Sequence, residues 1–184
     1  KCFELDNLQA NVDESEAGSA IPKKIGGRFT LLDHNGNIFT DRDMPSKYRL
    51  IFFGYTSCPD VCPTSLLIAS QAMKNLSDTA DKIQVYFVSV DPERDTPEKL
   101  KTYINYFSED FVGLTGAAAM IKRLASNYKV EYQKVGDASG NQDNYVMDHT
   151  ASFFLMDPEG EFVTKFPFGI TSDQLVEKLK DYVR

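Results

Sequence analysis

Two hydrophobic rhythms take turns along this chain: short continuous apolar runs, and stripes in which apolar residues recur every three or four positions. The runs suit strands buried on both faces, and the stripes suit the inner faces of helices. Residues 50–55 (LIFFGY) make the first strong run and residues 83–90 (IQVYFVSV) the second. Residues 152–156 (SFFLM) make a third, closed by the turn Asp157-Pro158-Glu159-Gly160. Between them lie the stripes Leu66, Ala69, Met73, Leu76; then Leu100, Tyr103, Ile104, Phe107; then Ala117, Met120, Ile121, Leu124, Tyr128. Thr96 and Pro97 read as N-cap and first residue of the second helix. Thr171 and Gln174 form a capping box ahead of Leu175, Leu179, Tyr182 and Val183. Nearer the start, residues 29–32 and 38–39 flank Asp33-His34-Asn35-Gly36-Asn37, a β-hairpin turn. Strands alternating with helices predict an α/β fold whose mostly parallel sheet is wrapped on both faces. Every stripe is accounted for as core.

The chemistry gathers where the first run meets the first stripe. Gly54-Tyr-Thr-Ser-Cys58-Pro-Asp-Val-Cys62-Pro-Thr puts two cysteines four apart in the approach to a helix, with Pro63 suited to the first helical position. Unpaired backbone N–H groups and the positive end of the helix dipole lower a thiol pKa there, from about 8.5. Buried structural cysteines fit poorly with Pro59, Asp60 and Pro63 around them. Two uses remain open: reversible disulfide chemistry, or holding a soft metal.

The chain has two histidines. His34 reads as a solvated residue of the hairpin turn. His149, in Asp148-His149-Thr150, stands just before the run at 152–156. If parallel strands bring their ends together, it approaches the cysteines; taken alone, it reads as an ordinary surface or capping histidine. Two thiolates and an imidazole are a copper-type or zinc-type ligand set. Asp91, Glu93, Arg94 and Asp95, at the end of the second run, read as a solvated loop or local ion pairing.

CPDVCP at 58–63, SVDPERDTPE at 89–98, VGLTG at 112–116 and DHTASFFLMDPEGEF at 148–162, in that order, resemble the Sco/SenC family of copper-binding proteins for cytochrome c oxidase assembly. The resemblance runs from about Gly26 to the C-terminus and implies a thioredoxin-like domain. It implies one copper ion held by Cys58, Cys62 and His149. Thiolates are soft ligands that favour Cu(I); for Cu(II) a harder fourth donor is expected, and Asp60 or Asp148 is nearest in sequence. Thioredoxins begin the strand entering the redox site with a cis-proline; residues 148–151 contain none, which leaves the space facing the cysteines to a histidine. The implied partners are the copper-site subunit of cytochrome c oxidase and an upstream copper donor. The implied location is the periplasmic face of the bacterial inner membrane or the mitochondrial intermembrane space, with an N-terminal membrane anchor. The competing reading is a thiol–disulfide oxidoreductase acting through Cys58 and Cys62. A peroxiredoxin-like peroxidase needs a threonine three residues before its cysteine, and Thr56 is two before Cys58.

Composition adds limits. At 184 residues and 42% hydrophobic, one core needs no disulfides. The net charge of −7, without a basic stripe, argues against nucleic acid. Residues 1–25 are acidic and lack an apolar period, so they read as a tether ahead of a domain at 26–184. Cys2 within them reads as a spare thiol or a lipid-modified anchor. No apolar run of about 18 residues suggests a membrane span. The polar stretch 136–145 (GDASGNQDNY) leads into the His149 strand and is expected to be a mobile loop that releases the third ligand.

Overall fold

The computed structural model describes residues 24–136 and 145–184. The acidic tether, except Lys24 and Ile25, and the polar loop, except its end residues Gly136 and Tyr145, fall outside them, as does Cys2. Lys24 pairs with Glu161 and Ile25 packs on the core, so the chain is already docked just ahead of Gly26.

A seven-stranded sheet runs in the order β2-β1-β5-β4-β3-β8-β9. Its strands are β1 (Thr30–Asp33), β2 (Ile38–Thr40), β3 (Tyr48–Gly54), β4 (Ile83–Ser89), β5 (Val112–Thr115), β8 (Ser152–Met156) and β9 (Phe162–Pro167). β6 (Tyr132–Gly136) and β7 (Tyr145–His149) form a separate antiparallel pair. The expected mostly parallel sheet is corrected to a mixed one: β3, β4 and β5 are parallel at the centre, and every outer pairing is antiparallel. Periodicity marks a strand as buried but does not give its direction, and the turn-linked outer strands need no crossover helix.

Among the described residues four α-helices flank the sheet: α1 (Val61–Asn75), α2 (Pro97–Asn105), α3 (Ala118–Asn127) and α4 (Ser172–Tyr182). Side chains alternate across the strands. Phe52 and Phe87 stack at 6.3 Å on the face that Tyr103 of α2 also touches, while Phe53 meets Tyr128, just after α3, on the other. Each such buried ring stabilises the fold by roughly 1.5–3 kcal/mol. α4 packs along α1. The caps follow the sequence: Thr96 accepts from the Lys99 N–H with Pro97 first in α2, and Thr171 and Gln174 close a capping box.

Three smaller expectations change. Met120 is 45% exposed, because Ile121, Leu124 and Tyr128 of that stripe face the sheet and Met120 lies at its edge. His34 is not a solvated turn residue: its Nδ1 accepts the Gly113 N–H at 2.9 Å, tying the hairpin to β5. Pro63 is the third helical residue, since Asp60 is the N-cap and Val61 and Cys62 come first.

Candidate metal centre

β3 ends at Gly54, and α1 begins seven residues later at Val61. A Cβ on Gly54 would stand 2.7 Å from Cys62 Sγ and 2.8 Å from Phe87, so a glycine is what lets the Cys62 sulfur tuck beneath the strand end. Cys62 is fully buried, whereas Cys58, in the loop above it, is half-buried; both are free thiols. Cys58 Sγ accepts the Cys62 backbone N–H at 3.4 Å and so satisfies one of the open donors of the first turn of α1. Asp60, the N-cap residue, makes no side-chain bond to the helix backbone and instead accepts from the Thr64 hydroxyl.

His149 arrives from the opposite direction. β8 runs antiparallel to β3, with Phe153 beside Phe52, so the residues just before β8 lie level with the loop just after β3. A parallel β8 would have left His149 at the far end of β3. The approach expected from parallel strands is therefore real but rests on antiparallel pairing. The imidazole stands edge-on to Phe52 and Tyr55, and its Nε2 lies 3.5 Å from Cys62 Sγ. Its Nδ1 lies 3.2 Å from the Thr150 carbonyl oxygen. A carbonyl only accepts, so Nδ1 carries hydrogen and Nε2 faces the sulfurs, free to take a proton or a metal ion.

The donor atoms of Cys58, Cys62 and His149 all lie within 4.8 Å of one another. Donors bonded to one ion at about 2.0–2.3 Å in a three-coordinate site stand about 3.5–4.0 Å apart; Cys62 Sγ and His149 Nε2, at 3.5 Å, already do, and the widest pair needs to close by less than about one ångström. Asp60 and Asp148, expected as a harder fourth donor, do not join this group. Asp148 points away because neighbours on a strand face opposite sides.

The two thiols are electrostatically unlike. The hydrogen bond with the Cys62 thiol first, then the neighbouring His149 imidazole and the backbone N–H groups of Cys62 and Asp60, favour the Cys58 thiolate, outweigh its partial burial and bring its pKa down to about 3. The bond to Cys58, burial and the Cys58 charge push Cys62 strongly up. One proton is thus shared by the pair and resides on the buried sulfur.

The loop after β4 was not recognised as part of this centre from sequence. Asp91 and Asp95 are 1% and 0% exposed, which corrects the solvated reading and keeps the ion-pairing one. Asp95 accepts the Thr56 N–H at 3.0 Å, the Thr56 hydroxyl at 2.6 Å and the Ser89 hydroxyl at 2.7 Å, pinning the start of the cysteine loop. Thr56 is thereby turned to Asp95 and not to Cys58, against a peroxidase arrangement. Lys99 adds a bond to Ser57 at 3.1 Å. Gly54 carried a signal, an isolated glycine inside an apolar strand; the buried aspartates carried none beyond their place at a strand's C-terminal end.

A thioredoxin-like domain in which an imidazole joins the dithiol at the first strand-to-helix junction defines the class of this protein. The SCO1/SenC family profile matches residues 17–184, and the chain belongs to that family. It is 40% identical over 158 residues to the SCO2-like protein of Rickettsia prowazekii, covering 86% of this chain and 77% of that protein. To the Schizosaccharomyces pombe protein sco1 it is 37% identical over 160 residues, 86% of this chain and 61% of the relative. Among solved structures it is similar to copper-bound ScoI of Bradyrhizobium japonicum, with 45% identity, a TM-score of 0.77, and 86% and 99% of the two chains covered. Copper-bound yeast Sco1 shares 34% identity and a TM-score of 0.79 over 87% and 88%.

Proposed function

We propose that this protein is a copper chaperone for cytochrome c oxidase, carrying one copper ion on Cys58, Cys62 and His149 and delivering it to the dinuclear copper site of an oxidase subunit. The observation that carries this reading is the imidazole: His149 Nε2 is brought to 3.5 Å from Cys62 Sγ with Nδ1 held at the Thr150 carbonyl. A dithiol reductase requires only the pair of sulfurs, whereas a third donor held in that orientation completes a metal ligand set. Two thiolates and one imidazole are soft donors whose count suits three-coordinate Cu(I). The copper-bound relatives from Bradyrhizobium japonicum and yeast support copper over zinc.

The cargo is held by unequal partners. Cys62 is enclosed beneath β3, whereas Cys58 lies at the loop surface, where an incoming thiolate of the client can approach. Exchange beginning at Cys58 would pass the ion without releasing it to water. Relatives include mitochondrial yeast proteins and bacterial Rickettsia proteins. Among the described residues no helix is long and apolar enough to cross a membrane. We place the domain on the periplasmic face of the bacterial inner membrane, or in the mitochondrial intermembrane space, beside the subunit it loads and a copper donor that supplies it.

Transfer itself is the test. Copper(I)-loaded protein is mixed with the metal-free, pre-reduced copper domain of the oxidase subunit, and metal is measured in each after separation. Copper should move to the client from the wild type and not from His149→Ala. A client that gains no copper from the wild type, yet has its oxidised form reduced by the metal-free protein, would replace this reading with the oxidoreductase one.

A further inference from the structure

The β6–β7 hairpin, which carries His149 as its last residue, is thinly attached to the molecule. Among its described residues Met147 is the one buried side chain, with Tyr132, Tyr145 and His149 half-buried. An open cleft of about 610 Å³, lined by Val90, Lys122, Val130 and Met147 among others, separates it from α3. Packing holds the His149 end of β7 against Phe52 and Tyr55 and is sparse toward its Tyr145 end.

A compact polar cluster holds the Tyr145 end. The Tyr145 hydroxyl donates to Asp91 Oδ1 at 2.6 Å, and Arg94 Nε donates to Asp91 Oδ2 at 2.5 Å. Arg94 Nη1 donates to the Tyr145 carbonyl oxygen at 2.9 Å, and the guanidinium carbon lies 3.6 Å from the Tyr145 ring centroid. Desolvation and the bond to Asp91 raise the pKa of the Tyr145 hydroxyl, so it keeps the proton it donates. Charge-assisted bonds to a carboxylate that is 1% exposed are strong ones. Four residues further along the same loop, Asp95 grips Thr56 at the entry to the cysteine loop. One loop thus holds both halves of the site, the dithiol through Asp95 and the imidazole through Asp91.

We propose that Tyr145, clamped by Arg94 and Asp91, is a positioning residue for the metal centre: the clamp fixes β7 in the place that presents His149 to the two sulfurs. The proposal rests on His149 being a copper ligand. Loosening the clamp frees one end of the hairpin and lets the imidazole leave Cys62, while the cysteine loop keeps its own anchor.

Tyr145→Phe removes one hydroxyl and keeps the ring under Arg94. Copper(I) affinity is measured on the full chain, by competition with a chromophoric chelator, for the wild type, Tyr145→Phe, His149→Ala and the double variant. Amide hydrogen exchange is followed on the metal-free forms. Tyr145→Phe should weaken binding roughly tenfold, the lower end for loss of a group supporting a ligand. It should add nothing in the His149→Ala background, because the effect travels through His149. Amides of β7 should exchange faster while those of β3 and β4 stay protected. Arg94→Lys, which loses the bond to the Tyr145 carbonyl, should move the same way. Wild-type affinity or unchanged β7 exchange in Tyr145→Phe, beside a weakened His149→Ala, overturns the proposal alone, as does an equal loss in both backgrounds. Wild-type affinity in His149→Ala removes the ligand reading and the proposal with it.

Discussion

The interaction between Cys58 and Cys62 drives the two thiols in opposite directions, the half-buried sulfur toward thiolate and the buried one toward thiol. Alkylation of Cys58 should therefore be independent of pH between 5 and 8. In Cys62→Ala, which removes the foremost hydrogen bond to Cys58, the rate should acquire a pH midpoint closer to the ordinary value of about 8.5. A wild-type profile that itself turns over near pH 8 would show that the pair is not polarised. Metal binding has a matching sign. Copper needs both sulfurs deprotonated, Cys58 already is, and Cys62 must lose its proton, so affinity should rise about tenfold per pH unit above neutrality. Titration at several pH values checks this; a hundredfold rise per unit would mean that both thiols start protonated. Gly54 sets the remaining term. Gly54→Ala drives a methyl into Cys62 Sγ and Phe87, and should cost roughly 1–3 kcal/mol in denaturant unfolding and weaken copper binding with it.

Among the elements, the loop after β4 and the strand β8 matter most to the site, and the two were unequally legible. The cysteines, their place after β3, the helix stripes and both good N-caps could be read directly, because spacing and capping are local properties. The direction of β8 could not, since apolar runs look alike whichever way they pair, and that direction is what carries His149 to the cysteines. Nor could the burial of Asp91 and Asp95, which depends on partners 39 and 54 residues away. Asp95→Ala strips acceptors from the Thr56 N–H and the Thr56 and Ser89 hydroxyls, and should cost about 2–4 kcal/mol in urea unfolding. Thr171→Ala, at the remote capping box of α4, should cost about 1 kcal/mol and leave copper affinity at the wild-type value. Similar losses of affinity in the two variants would mean that copper binding follows global stability and not the loop.

At the scale of the whole molecule, a thioredoxin-like sheet brings the loop after β3, the start of α1 and the end of β7, which leads into the antiparallel β8, to one point, and the proposed metal centre takes Cys58, Cys62 and His149 from these in turn. Hydrophobic periodicity gave the α/β layout and spacing gave the two cysteines and His149 as candidate soft-metal donors; the family resemblance carried by four ordered motifs added the thioredoxin-like fold and the choice of copper. The central claim, that Cys58, Cys62 and His149 together hold the copper, is tested most directly by X-ray absorption spectroscopy of the copper(I)-loaded protein. Two sulfur scatterers and one nitrogen scatterer are predicted around each ion, with the nitrogen contribution lost in His149→Ala. A sulfur-only shell in the wild type, or an unchanged spectrum in His149→Ala, would contradict the account.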